Sequence, residues 1–416
     1  KFLESPWVRN EWNRFLAQIQ RGAKKLLIPA YKGMSPYDLP DELGPFQAQD
    51  LNTLGYYQDL IAGINRFLGK EKREPAANIY GYLEVGFQNL SMGDKSKALT
   101  FFETANTLEP NSSLPYLGLL ITDAPSKQEF FYQKFSSLFS PEEKEKEIHY
   151  LTLCKQFIAE YFTLFLRFED DERAKECLQI PNANFNVEIN GYLPICYAID
   201  KQNIEVVKTL CYHPSVDLNA ICSDQTISPL GLACQKKNED LIDLLLEAGA
   251  APNISYKMPN SKNRMLPLGT CIDKGFVTGV KKLMEHGASV NTEYDPYGLP
   301  LAHAIQMGQL QICDILLEHG AKINQTSRGI PVFMNMIYAK DSSMVAYCHD
   351  HGADFNIQIP YGDKTVDLIY YVAYENRTKY LKEIIYHGGA DIYFSDMKHL
   401  RNKIYKKELF LPFYLL

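Results

Sequence analysis

The sequence predicts a mainly α-helical protein: a solenoid of short repeats fills its C-terminal half, preceded by a helical region and by part of an α/β domain. Three observations predict this. Asn186, Asn219, Asn253, Asn291, Asn324 and Asn356 recur at intervals of 33, 34, 38, 33 and 32 residues, in strings that align with one another. Two amphipathic helix patterns flank a Gly93-Asp94 turn. The first seventy residues read helix, strand, loop, helix, with one strand only.

With 416 residues the chain has the length of about two to four ordinary domains. It is 46% hydrophobic and 22% charged, a globular composition. Its 43 Lys and Arg against 50 Asp and Glu leave a net charge of −7, without the basic excess that attracts nucleic acid or anionic membrane, so neither is expected as a partner. The nine cysteines are scattered singly, without a CxxC pair, and several fall in apolar helical runs such as "LPICYAI" and "PLGLACQ". They read as buried free thiols of a reducing, cytoplasmic compartment. The N-terminus has no basic region followed by an apolar core, and the longest apolar helical pattern is interrupted by Lys155, Glu160 and Arg167. Neither a secretion signal nor a membrane span is expected. Because the chain begins at Lys1 rather than at methionine, an upstream segment is expected to be missing.

Residues 1–69 read as the C-terminal part of an α/β domain. On a helical projection of residues 7 to 20, Trp7, Val8, Trp12, Phe15, Leu16 and Ile19 form an apolar half, and Glu11 lands inside it, between Trp7 and Phe15. Gly22 stops the helix, "KLLIPAY" has a buried-strand pattern, and a proline-punctuated loop leads to an amphipathic helix from Leu54 to Leu68. A lone short strand leaves its backbone groups unpaired on both edges, so neighbouring strands that this chain does not supply nearby are expected.

Trp7-Val8, two variable residues, Glu11, a helix, the basic turn "RGAKK" and "LLIPAY" together resemble the C-terminal half of a TIR domain, above all the bacterial type and its NAD-cleaving relatives. The resemblance covers residues 5 to 68; the first strand of that family and its NAD-contacting loop have no counterpart here. It implies that Glu11 is the catalytic residue of NAD glycohydrolysis in an intact domain, with NAD as substrate rather than a bound cofactor. A fixed carboxylate suits that chemistry, because breaking the nicotinamide–ribose bond develops oxocarbenium-like charge. Trp7 would form a wall of the NAD pocket. A second reading pairs Glu11 with Arg14 at i+3 on a helix edge. Half a sheet does not preorganise a site, so this chain by itself is expected to be inactive.

Residues 70–125 carry two helices around Gly93-Asp94. With Pro110 as the terminal proline, Tyr82, Val85, Gly86, Ala98, Phe102 and Ala105 fall on the positions of a tetratricopeptide repeat, which the segment resembles; Asn89 departs, where an aromatic is usual. A second repeat starts with "SLPYLGLL", but Leu120 stands where a small residue belongs and no partner helix follows in register. Residues 126–180 are expected to complete a helical spacer, with Glu169 to Glu172 as a solvated face or turn rather than a metal site.

The strings of residues 181–395 resemble about six ankyrin repeats. "SPLGLA" and "LPLAHA" match the start of that repeat, and "LLEAGA", "LMEHGA" and "LLEHGA" match its end. Pro229, Pro267, Pro300 and Pro331 are expected to open first helices, and Gly249, Gly287, Gly320 and Gly352 to turn the chain after second helices. One insertion of four to five residues falls near Met258 to Arg264. Residues 396–416 would cap the open end.

"CHDHG", from Cys348 to Gly352, has three metal-ligand types in four residues. His351 occupies the repeat position of His286 and His319, however, so no metal site is expected. No phosphate-binding glycine loop, GxSxG or HExxH occurs. Tyr256, Tyr294, Tyr297 and Tyr361 lie at loop tips, either as anchors for a protein partner or as loop-packing side chains. The functional expectation is a protein-interaction scaffold or sensor, its repeats binding a protein partner and its TIR part self-associating and cleaving NAD in the intact parent. The alternative is a non-enzymatic adaptor whose TIR part only self-associates.

Overall fold

In the computed structural model the described residues run from 79 to 387 except 224–226, 258–262, 363 and 376, together with positions 14, 17, 18, 21, 30, 31, 49, 50 and 64. The chain forms two compact units, residues 1–157 and 158–416.

In the first unit, residues 14, 17 and 18 are helical and 21 is in a turn, where the sequence places a helix ending before Gly22. Strand β1 (Ala30–Tyr31) pairs in parallel with β2 (Gln49–Asp50). This corrects the expectation of a strand without a neighbour in the chain: Gln49–Asp50 pairs with one of its edges and satisfies backbone groups there.

Helices α1 (Ile79–Ser91) and α2 (Lys95–Leu108) form the hairpin expected around Gly93, and Asp94 caps α2 by accepting from Lys97 N–H at 3.0 Å. Three more helices follow, α3 (Leu114–Thr122), α4 (Gln128–Leu138) and α5 (Lys144–Leu153). The Phe102 ring is clamped between helices: a Cβ on Gly86 would lie 2.6 Å from its Cε1, and a Cβ on Gly118 would lie 2.5 Å from its Cγ. The small residue missing at Leu120 is thus supplied two positions earlier, and Leu120 is buried. Leu83, Phe87 and Leu90 form the buried face of α1, whereas Tyr82 and Val85 are half-buried. Asn89 does without an aromatic's packing by donating to Val85 O at 2.8 Å. Phe87 stacks on Tyr150 at 4.4 Å, tying α1 to α5. Glu143 accepts from Ser113 Oγ at 2.7 Å and completes a capping box with Ser140. The N-cap of the helical run that becomes α5 therefore also fixes the start of α3.

The second unit is a stack of helix pairs. Its pairs are α6 (Ile158–Arg167) with α7 (Asp171–Cys177), α8 (Pro194–Asp200) with α9 (Ile204–Cys211), α10 (Pro229–Lys236) with α11 (Glu239–Glu247), and α12 (Pro267–Asp273) with α13 (Val277–Glu285). They continue with α14 (Pro300–Met307) and α15 (Leu310–Glu318), a 3-10 helix (Val332–Tyr338) with α16 (Ser343–Asp350), and α17 (Leu368–Tyr374) with α18 (Thr378–Tyr386). First helices pack on first helices from α6 to the 3-10 helix, and second on second from α7 to α15 and again between α16 and α18. Asp170, at the acidic cluster, caps α7 and pairs with Arg173 at 2.7 Å, a turn as the sequence predicts.

Pro194, Pro229, Pro267 and Pro300 each open a first helix, where the missing N–H has no role and φ is preset. Pro331 differs in that it precedes a 3-10 helix rather than an α-helix; Asn335 donates its side chain to Val332 O at 3.0 Å, an i to i−3 bond that favours the tighter winding. After the second helices Gly249, Gly287, Gly320 and Gly352 adopt φ of 98°, 81°, 94° and 83°, the left-handed turn that a side chain would strain. Between pairs, strands β3 (Tyr256–Lys257) and β4 (Arg264–Met265), β5 (Thr326–Ser327) and β6 (Ile330–Pro331), and β7 (Gln358–Tyr361) and β8 (Lys364–Asp367) form antiparallel hairpins. The predicted insertion falls between Lys257 and Arg264, the residues at which β3 ends and β4 begins.

Candidate functional site

Trp7 and Glu11, the residues the sequence singles out for NAD chemistry, lie outside the described residues, as does the 396–416 tail. Arg14, the alternative partner of Glu11, is helical and exposed.

In the second unit three of the repeating asparagines link neighbouring loops. Asn219 Oδ1 accepts from Ala251 N–H at 2.8 Å, Asn253 Oδ1 from Ser289 N–H at 2.8 Å, and Asn324 Oδ1 from Asp354 N–H at 2.9 Å. Asn253 and Asn324 also donate to Gly287 O and Gly352 O, at 3.1 and 2.8 Å. Asn253 and Asn324 thereby satisfy a donor and an acceptor left open where the next repeat's helix ends, and Asn219 satisfies a donor, a role turn chemistry alone did not reveal.

Of the two readings of the tip tyrosines, loop packing holds for Tyr256 and Tyr294. Both are buried, against Gly231 and Gly269 respectively, and neither is available as a partner anchor. Tyr256 OH bonds Thr270 Oγ1 of the first helix that follows it, and Tyr294 OH bonds His303 Nδ1 at 2.8 Å. Tyr297 is half-buried, and the side chain of Tyr361 is not among those described.

His303 is fully enclosed. Its Nε2 lies 2.9 Å from Asp273 Oδ1; a carboxylate only accepts, so Nε2 carries the proton and Nδ1 accepts from the Tyr294 hydroxyl. Burial pushes the Tyr294 phenol well above its ordinary range, which keeps that hydroxyl a donor. Tyr297 stacks on the imidazole at 3.6 Å and 7°. Every polar atom of the imidazole is matched, and the arrangement joins two repeats without leaving an open position for a substrate.

All nine cysteines are buried and free. Burial pushes the thiols of Cys211 and Cys348 up to about 11 and about 12, so both stay protonated. Cys196 donates to Cys222, which raises the first thiol and lowers the second.

The histidines before the turn glycines cap second helices: Nδ1 of His286, His319 and His351 donates to the carbonyls of Lys282, Ile315 and Tyr347 at 2.9, 2.8 and 2.8 Å. The positional explanation of His351 in "CHDHG" thus has a physical basis, and Cys348 is buried. The remaining residues of that motif, His349 and Asp350, meet His387 from the following repeat, with their ligand atoms all within 4.8 Å of one another. The sequence reading missed this trio because His387 is distant in the chain. Among the described residues no helix is long and apolar enough to cross a membrane.

Stacked helix pairs joined by hairpin loops define a repeat solenoid. Residues 164–256 and 230–327 match the family model described as "Ankyrin repeats (3 copies)". This stretch of the solenoid carries ankyrin repeats. A glycerophosphocholine phosphodiesterase GDE1 of Candida albicans is 28% identical over 127 residues, 30% of this chain and 11% of that protein. Rabankyrin-5 of Mus musculus is 26% identical over 162 residues, 38% of this chain and 13% of that protein. The chain thus spans between a tenth and a seventh of the length of these curated relatives. Among solved structures, the human ASB11 ankyrin repeat domain is similar at TM-score 0.39 and 17% identity, over 51% of this chain and 90% of that one. The Bcl-3 ankyrin repeat domain is similar at TM-score 0.42 and 19% identity, over 48% and 88%.

Proposed function

We propose that this chain is a protein-interaction scaffold in which the ankyrin repeats select a protein partner and the N-terminal part answers by self-association. One observation carries the reading. Residues that recur with the period, namely the helix-opening prolines, the asparagines and the turn glycines, hold the stack together, while side chains outside the period stand exposed in the loops and hairpins between pairs. Among the described residues Val187 and Ile221, in loops, and Ile330, in β6, are apolar examples. Such a surface changes specificity without changing the fold. Its nine buried free thiols support a cytoplasmic setting.

The test uses the full chain as bait, with Ile221→Asp and Ile330→Asp as tip variants and Thr104→Asp, in the first unit, as control. Capture lost in the tip variants at unchanged melting temperature supports the reading. Capture indifferent to the tips overturns it.

For the first seventy residues, the resemblance to a TIR domain supports NAD hydrolysis in the intact parent, through Glu11 with Trp7 beside the substrate. Nicotinamide release by the full-length parent and its Glu11→Ala variant decides between enzyme and adaptor. Background release from both under self-associating conditions leaves the adaptor.

A further inference from the structure

We propose that His349, Asp350 and His387 form a binding site for a divalent transition-metal ion of the zinc class, closing the last described helix pair onto the one before it. The site is independent of the partner-binding reading. His349 and Asp350 end α16, and His387 follows the last residue of α18. Their ligand atoms fall within 4.8 Å of one another, and the two imidazole rings lie 5.2 Å apart at 39°. Two imidazoles and a carboxylate are the donor set that zinc and its neighbours take, with one position left for water.

Geometry supports the assignment. Zinc–nitrogen and zinc–oxygen bonds of about 2.0–2.2 Å at tetrahedral angles place ligand atoms roughly 3.3–3.6 Å apart. His349 Nδ1 and Asp350 Oδ1 are already 3.3 Å apart. His387 need move inward by no more than about 1.5 Å to complete the set, within reach of ordinary χ adjustment at a surface.

The repeat pattern makes His349 unusual. Counting back from the turn glycine, it occupies the position of Leu246, Met284 and Leu317, which are buried, buried and half-buried. At His349 an exposed imidazole replaces that apolar contact. Two helix C-termini also converge here, and their carbonyl ends favour a cation. The ion would add a link across these pairs at the position where the apolar contact is replaced.

The experiment uses the full 416-residue chain, stripped with chelator and titrated with cobalt(II) and then zinc(II). One equivalent is expected, with cobalt visible bands of nitrogen and oxygen ligation, and zinc is expected to raise the melting temperature. His349→Ala, His387→Ala and the milder Asp350→Asn should each weaken binding by about tenfold or more, while His286→Ala and His319→Ala, helix caps elsewhere in the stack, should change it by less than about twofold. Circular dichroism confirms that each variant folds, and Asp350→Asn covers the case in which a histidine variant does not. Three results overturn the site: no binding up to roughly 1 mM zinc, affinity indifferent to all three ligand variants, or cobalt–thiolate charge-transfer bands that put the ion on a cysteine.

Discussion

The Tyr294 ring lies so close to Gly269 that a Cβ at that position would sit 2.8 Å from Cε2. One repeat earlier Tyr256 treats Gly231 the same way, at 2.5 Å from Cε1. These pairs follow a register that runs from α8 to α14: the third residue of the first helix corresponds to the third residue after the next repeating asparagine. Where the helix residue is Cys196 the tip residue is Cys222, and where it is Ala302 the tip residue is Ser327. Large tip residues thus accompany absent side chains.

Gly269→Ala and Gly231→Ala are therefore expected to destabilise by about 1–3 kcal/mol each, because a buried ring held by its hydroxyl has nowhere to withdraw. Ala302→Gly, facing a small tip residue, should cost no more than the roughly 0.5–1 kcal/mol of a helix glycine. Urea midpoints of the three variants check the ordering, and an unaffected Gly269→Ala would refute the register.

The Tyr294–His303–Asp273 chain predicts strong coupling. Tyr294→Phe leaves His303 Nδ1 without its donor in a fully enclosed site, at a cost of about 1–3 kcal/mol. His303→Leu removes the imidazole that both Tyr294 and Asp273 bond. A double-mutant cycle on Tyr294 and His303 should return a coupling of about 0.5–3 kcal/mol. Additive effects would mean that the hydrogen bond does not operate in solution.

The asparagine ladder predicts local rather than global effects. Asn253→Ala removes one bond accepted from Ser289 N–H and one donated to Gly287 O, both exposed. The expected loss is about 1 kcal/mol, with faster amide exchange at Ser289 than at helical amides of the same repeat. Uniformly faster exchange through the unit would contradict the assignment of Asn253 to a single loop junction.

Much of the second unit was legible because its signals are local. A proline that opens a helix, a glycine that turns left-handed and an apolar period each act within a few residues, so Pro267 or Gly287 is readable from its own neighbourhood. What escaped depends on residues a full repeat apart. The sequence left Tyr294 open between partner anchor and loop-packing side chain until its partners Gly269 and His303 decided it, and His387 had no visible connection to His349. In the first unit the helix pair was readable, but the small residue expected at position 120 was supplied by Gly118, because the ring of Phe102 fixes where closeness is needed. The strand at Ala30 pairs with Gln49–Asp50, which the sequence reading assigns to the proline-punctuated stretch. Glu11 and Trp7 remain expectations from resemblance.

The last prediction concerns acid. His213 is half-buried beside Phe185, edge to face at 4.8 Å, and Ser215 N–H donates to its Nδ1 at 3.3 Å. Ser215 Oγ lies 2.9 Å from the same nitrogen and accepts from Phe185 N–H at 2.9 Å, so the neutral ring orders the loop that starts its repeat. Desolvation lowers the His213 pKa below its ordinary 6.5. The folded state therefore binds this proton less readily than the unfolded chain, and stability rises with pH across the window between the two values. It falls as pH drops below 6.5, and the loss from this group is complete below the lowered folded value. His213→Phe removes the titration while keeping an aromatic against Phe185. Comparing urea midpoints at about pH 7.5 and about pH 5, the drop should be smaller in the variant than in the wild type, since carboxylates contribute equally to both. An equal drop in both proteins would show that His213 carries no proton linkage.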